Sequence, residues 1–258
     1  MLDIHCHLLP KIDDGPATML ESLKMSKAAV EQGISRIVCT PHHDNGIYQN
    51  PKNEVLKQVE SFKLELCKMN IPLEIFAAQE IRVTNQLLTH LDNDNLLFID
   101  EQKKFLLIEF PSLGVPINAK EIIFNLLCRD IVPILAHPER NSHFLKYPNS
   151  LVPFLEMGVY SQLSAASYLG GFGKKVKRLS KLLIENDAVH VIASDAHGIY
   201  KRVFQLQEAY AQIENDFGKT RADKLKHNSE LIFRGIELAK PHIYTEIQKK
   251  SFFNMRVT

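Results

Sequence analysis

The chain has 258 residues, 45% of them hydrophobic and 24% charged, with a formal net charge of +1. That length suits one β/α barrel with a substantial core, and the composition excludes a fibrous or largely disordered protein. Near-neutrality gives no electrostatic reason to expect nucleic acid or an anionic membrane as a partner.

Apolar runs of strand length alternate with helical patterns, which is the signature of parallel β/α units. The first run, residues 2–6, is not preceded by the basic start of a signal peptide, and no later segment approaches a membrane span. A cytoplasmic protein without membrane insertion is therefore expected. A helix follows, opened by Thr18 and Glu21 at capping-box spacing and closed at Gly33. After a strand at 36–40, a second helix opens at Asn50-Pro51, a cap followed by proline at the first helical position, with Val55, Val59, Phe62 and Leu66 on one stripe. Further strands fall at 73–78, 105–110, 132–136, 160–163 and 189–194. Helices are expected at 119–128, 151–157, 175–186 and within 202–240. The chain then reads as one domain over 1–240 and a C-terminal tail, 241–258, with no clear periodicity. Seven parallel strands suit a distorted (β/α)7 barrel, although the same alternation would also give an open doubly wound sheet.

Polar residues interrupt this pattern at the strand ends. His5 and His7 are two apart, so the strand period turns both imidazoles to one side and Cys6 to the other. His42 and His43 follow the second strand, Glu80 the third, and Glu109 interrupts the apolar run of the fourth. His137 opens the segment after the fifth strand, and Asp195 and His197 repeat the period-two spacing after the seventh. One histidine at a strand end is usually a packing or hydrogen-bonding residue. In a barrel, however, all these ends converge on one face, where active sites lie. Imidazoles and carboxylates without clustered thiolates suit Mn, Fe or Zn. Bridging carboxylates allow two or three ions, which can generate a hydroxide nucleophile and clamp a phosphoester.

The segments His5-Cys6-His7, Pro41-His42-His43, Gln79-Glu80, Ile108-Glu109-Phe110-Pro111, Ala136-His137-Pro138-Glu139-Arg140-Asn141 and Ala193-Ser194-Asp195-Ala196-His197 resemble those of the polymerase-and-histidinol-phosphatase (PHP) family. With Asp13-Asp14-Gly15, their order resembles the bacterial manganese-dependent protein-tyrosine phosphatases of capsule and exopolysaccharide operons, the YwqE/CpsB/CapC type. The resemblance implies a metal site at the C-terminal strand ends. His5, His7, Glu80 and Asp195 would bind one ion, Glu80 would bridge to a second completed by Glu109 and His137, and Asp14, His42 and His197 would hold a third. Asp14 alone would read as a turn residue. The resemblance further implies Mn2+, Arg140 and Arg202 as phosphate clamps three and five residues beyond ligands, and a phosphotyrosine protein as substrate. That substrate would be the tyrosine-rich C-terminal tail of a bacterial tyrosine kinase.

Three other readings are weighed against this. A thiol phosphatase needs an arginine six positions after its cysteine, and Ile12, Asn45, Leu73 and Ile134 stand there after Cys6, Cys39, Cys67 and Cys128. A histidinol-phosphate or other small-molecule phosphoesterase would use the same metals. A non-catalytic regulatory module would not need so many costly polar groups around one pocket. His43 is expected to point away from the metals, and His90, His143, His190, His227 and His242 are given no role.

Overall fold

The structure, a computed structural model, describes residues 1–239 and 246–248. In chain order its elements are β1 (Leu2–Cys6), α1 (Met19–Glu31), β2 (Arg36–Cys39), β3 (His42–His43), α2 (Lys52–Lys68), β4 (Glu74–Ala77), β5 (Glu80–Arg82), α3 (Leu87–Asp92), β6 (Phe105–Glu109) and α4 (Ala119–Cys128). There follow β7 (Val132–Ala136), α5 (Ser142–Lys146), α6 (Val152–Met157), β8 (Tyr160–Ser164), α7 (Ala165–Leu169), α8 (Lys174–Glu185), β9 (Val191–Ala193), α9 (Leu206–Phe217) and α10 (Lys219–Phe233).

All seven expected strands are present. The second and third are β2 and β4, and each is followed by a further short strand that was not expected, β3 and β5. Pro41, which has no N–H to give a ladder, lies between β2 and β3. All pairings are parallel, in a three-stranded sheet β1-β2-β4 and a six-stranded sheet β3-β5-β6-β7-β8-β9. The strand positions thus succeed one another in chain order, as the α/β reading requires. Between β1 and β9 the join is a single bridge, Cys6 to Ala196, flanked by His7 N–H donating to Ala196 O at 2.9 Å and Asp195 N–H donating to His5 O at 2.9 Å.

Alternate residues of the strands enter two different cores. Ile37, Leu106, Ile108, Leu135 and Ile192 pack with the helices, including the buried stripe Val55, Val59, Phe62 and Leu66 of α2. Val38, Phe105, Leu107, Ile134, Ala136, Val191 and Ala193 form a second cluster with Leu2 and Ile4. Burial on both faces is why these strands read as nearly continuous apolar runs.

The caps match the sequence at one helix and not at the other. Thr18 Oγ1 accepts from Glu21 N–H at 3.2 Å, while Glu21 Oε2 accepts from Ala17 N–H, and Gly33 follows α1 with φ +74°. Asn50 is not the cap of α2. Its Nδ2 donates to His42 O at 2.7 Å and Ile12 O at 2.9 Å, tying two strand-end loops together, and Pro51 occupies the cap position. Of the expected tail, Ile247 is buried and its N–H donates to Asn149 Oδ1 at 2.7 Å. Residues 241–245 and 249–258 lie outside the described residues. No helix among the described residues is long and apolar enough to cross a membrane.

Candidate metal centre

Strand phase delivers the polar side chains to one place. Glu109 keeps the phase of Phe105 and Leu107, Asp195 that of Val191 and Ala193, and Glu80 that of Ala78. Each therefore extends the apolar cluster of its own strand by one polar layer. Register adds neighbours, with His42 opposite Glu80 and Arg82 opposite Glu109.

Three compact groups result, among the described residues: His5, His7 and Glu80; His42, Glu80 and Glu109; and His7, Asp14, His42 and His197. In the first, His5 Nε2 and His7 Nε2 are 3.2 Å apart and stand 3.4 and 3.3 Å from Glu80 Oε2. A point about 2.0–2.2 Å from all three donors lies just off their plane, which is the bond length of a first-row transition ion. In the second, His42 Nδ1 is 2.9 Å from Glu80 Oε2 and 3.3 Å from Glu109 Oε1. In the third, Asp14 Oδ1 is 3.4 Å from His42 Nε2 and 3.2 Å from His197 Nε2.

Asp195 and His137 fall outside these compact groups but touch their members. Asp195 Oδ1 is 3.5 Å from His5 Nε2, and His137 Nε2 is 2.6 Å from Glu80 Oε1. All nine sequence candidates therefore converge. The grouping differs from that implied by resemblance in three respects: Asp195 stands outside the first group, His42 rather than His137 stands with Glu80 and Glu109, and His7 also joins Asp14, His42 and His197.

The donors fit a cation. Glu80 Oε2, Glu109 Oε1, His42 Nδ1 and His197 Nε2 are buried and make no properly directed hydrogen bond, although ion-pair distances separate several of them. Four orphaned polar atoms at one spot require a partner. Burial opposes charge on Glu80, yet His5, His42 and His137 hold its carboxyl well below the usual range. Burial likewise opposes the His5 imidazolium, but Glu80 and Asp195 outweigh it and raise His5 to about 9. The carboxylates thus impose positive charge on their surroundings.

Above this cluster lies a cavity of about 320 Å³ lined by Arg82, Arg140, Arg202, His137, Phe110 and Phe172, among others. Both arginine candidates reach it. Arg140 Nη2 is 2.6 Å from Asp195 Oδ2, and Arg202 Nη2 donates to Asp195 Oδ1 at 2.8 Å. Burial would raise the Asp195 carboxyl, but these guanidinium groups and His5 hold it well below the usual range. Asp195, His137 and Arg202 all adopt left-handed backbone, with φ of 54°, 35° and 49°, a conformation uncommon outside glycine.

Sequence reasoning passed over three supporting residues. Asp13 Oδ2 lies 2.6 Å from His7 Nδ1, which places the ring proton on Nδ1 and presents Nε2 to the cluster. Gln162 Oε1, 2.7 Å from His5 Nδ1, does the same for His5. Arg82 Nη2 is 3.0 Å from Glu109 Oε1. The available signal was phase. Gln162 is a polar residue two after Tyr160 on a buried strand, as Asp195 is two after Ala193. His43 turns elsewhere, its Nδ1 accepting from Asn50 N–H at 3.1 Å and its ring packing edge-on against His90.

Comparison with known proteins identifies the family. A family model for capsular polysaccharide synthesis proteins, CpsB/CapC, matches residues 1–234. The chain belongs to the CpsB/CapC family. Among CpsB/CapC relatives, it is 39% identical over 234 residues to the tyrosine-protein phosphatase YwqE of Bacillus subtilis (strain 168), covering 91% of this chain and 92% of YwqE. It is 31% identical over 255 residues to the putative tyrosine-protein phosphatase CapC of Staphylococcus aureus, covering 99% and 100%. A chain from crystal structures of YwqE from Bacillus subtilis and CpsB from Streptococcus pneumoniae, described as unique metal-dependent tyrosine phosphatases, superposes with a TM-score of 0.92 at 37% identity. That match covers 96% of this chain and 100% of the other. A chain of an archaeal ribonuclease P complex with tRNA, 16% identical with a TM-score of 0.56 over 81% of this chain and 85% of that one, shares the fold alone.

Proposed function

We propose that this chain is a metal-dependent protein-tyrosine phosphatase of the capsule and exopolysaccharide type. It hydrolyses phosphotyrosine on a cytoplasmic protein, the tyrosine-rich tail of a bacterial tyrosine kinase. The observation that carries the reading is the set of four orphaned, buried donor atoms beneath a cavity lined by three arginines. His5, His7, Glu80 and Asp195 would hold one ion, Glu80, Glu109 and His137 a second, and Asp14, His42 and His197 a third, with Mn2+ as the resident metal. Bound ions supply an activated water and draw charge from the phosphoryl oxygens.

The protein's own groups do the rest. Asp13 and Gln162 fix the faces of His7 and His5. Arg140 and Arg202 each engage Asp195 through one Nη and line the cavity, where their remaining N–H groups would meet phosphoryl oxygens. Cys6 and Cys39 are buried and their thiols are pushed up by that burial, so neither offers a thiolate.

The test is a side-by-side assay on phosphotyrosine peptide, phosphoserine peptide and histidinol phosphate, after chelation and after adding Mn2+. Preference for phosphotyrosine, lost on chelation and restored by Mn2+, is expected. Preference for histidinol phosphate would replace the tyrosine reading with small-molecule hydrolysis.

A further inference from the structure

Between α7 and α8 runs Gly170-Gly171-Phe172-Gly173, a segment whose one side chain beyond Cα is an aromatic ring. Gly170 and Gly173 have φ of 103° and 91°, and the turn is closed by Gly171 N–H donating to Ala166 O at 2.8 Å and Gly173 N–H donating to Gly170 O at 3.0 Å. Left-handed backbone on both sides is what glycine permits and a side chain resists. These two hydrogen bonds shape the turn, and the Arg140 guanidinium packs on the ring of Phe172.

The turn reaches the wall of the phosphate cavity. Phe172 lines it beside Arg140, and the guanidinium carbon of Arg140 lies 4.7 Å from the ring centroid. Phe172 is 37% exposed, so Arg140 leaves part of it open. One end of the cavity thus presents guanidinium groups and orphaned donors, while this wall presents an aromatic surface that is only partly used. A ligand matching both has a phosphate at one end and a flat apolar group at the other.

We propose that Phe172 is a specificity-determining residue whose ring packs against the phenyl ring of a phosphotyrosine side chain while Arg140 holds the phosphate. This rests on the phosphatase reading above and assigns the selection of an aryl over an alkyl phosphomonoester to one side chain. The ring of phosphotyrosine sets its phosphate farther from the peptide backbone than serine does, so an aryl ester can reach the arginines with its phosphate while its ring lies beside the part of Phe172 that Arg140 leaves open. Tyrosine's phenol, with a pKa of about 10, is also intrinsically the better leaving group. Turnover ratios alone therefore cannot isolate the ring.

The decisive measurement uses phenylphosphonate and methylphosphonate, which bind through the same oxygens and have no leaving group. Their inhibition constants are measured against the metal-loaded wild type, Phe172→Ala and Phe172→Leu, with KM and kcat for phosphotyrosine peptide taken alongside. Phe172→Ala is expected to lower the phenyl-over-methyl selectivity about 10-fold and to raise KM for the peptide more than it lowers kcat. Phe172→Leu, which keeps an apolar wall, should fall between. Equal weakening of both phosphonates would overturn the proposal and leave Phe172 as a support for Arg140, and unchanged selectivity would overturn it outright. A wild type that selects phenylphosphonate through Phe172 but does not hydrolyse phosphotyrosine peptide would instead sink the tyrosine-phosphatase reading. A wild type that binds neither phosphonate would remove both.

Discussion

Replacing Asp13 by asparagine keeps the size of the side chain and removes one of its two acceptor oxygens. Three donors converge on that carboxylate. His7 Nδ1 and His42 N–H meet Oδ2 at 2.6 and 3.1 Å, and Gly15 N–H meets Oδ1 at 2.9 Å. One amide oxygen serves one side of this arrangement, so the amide nitrogen must face at least one N–H. A stranded buried donor costs about 1–3 kcal/mol of stability. Loss of the carboxylate that fixes the His7 ring costs about 10- to 100-fold in metal affinity, as for other carboxylate–histidine–metal pairs. Chelator-competition titration with Mn2+ and urea unfolding of the metal-free protein measure the two effects separately. A folded Asp13→Asn variant with metal affinity within twofold of wild type would refute the reasoning and reduce Asp13 to a turn residue.

Four other outcomes follow from the same geometry. Arg140→Ala and Arg202→Ala should each lose about 2–4 kcal/mol of transition-state stabilisation, roughly 30- to 1,000-fold in kcat/KM on phosphotyrosine peptide, and near wild-type rates would return them to structural roles. Glu80→Ala, which removes a carboxylate shared by two of the compact groups, should bind fewer ions than Asp14→Ala by metal analysis of the folded proteins. Replacing all four cysteines by alanine should preserve turnover in a folded variant, since no thiolate takes part; loss of the chemical step in that variant would falsify this. His190 carries the pH prediction. Burial, then Lys224, lower it to about 3, and its Nδ1 accepts from Ser161 N–H at 3.0 Å. The unfolded chain binds this proton below pH 6.5 and the folded chain only near 3, so stability falls as pH drops through that window, by about 2 kcal/mol at pH 5. Urea unfolding at pH 5 and 7.5 should show His190→Gln losing that part of the dependence.

The strands were legible because both their faces are apolar, and the ligands because each breaks that pattern at a strand end. Glu109 after Phe105-Leu106-Leu107-Ile108 and His137 after Ala136 needed no structure to be noticed. The helices α3, α5 and α7 were not legible, since each spans under two turns with no apolar stripe of its own, whereas the equally short α6 follows Leu151 and ends at Gly158. Asn50 was misread because an asparagine before Pro51 has the chemistry of a cap, and only the fold shows Ile12 and His42 within reach. Asp13 was hidden by its neighbour Asp14, because adjacency in a loop gives no phase with which to assign a direction.

His137, Asp195 and Arg202 hold left-handed backbone without the freedom of glycine, at a cost of about 1–3 kcal/mol each. Selection for foldedness and selection for turnover therefore pull apart at these three positions. A lineage released from its substrate would gain backbone freedom by drifting toward glycine or asparagine, most plainly at Arg202. Where the packing around the lost side chain adjusts, descendants would keep the fold after the chemistry was gone. In such a lineage these positions are where decay should first be visible, before anything in the apolar strands beneath them has changed.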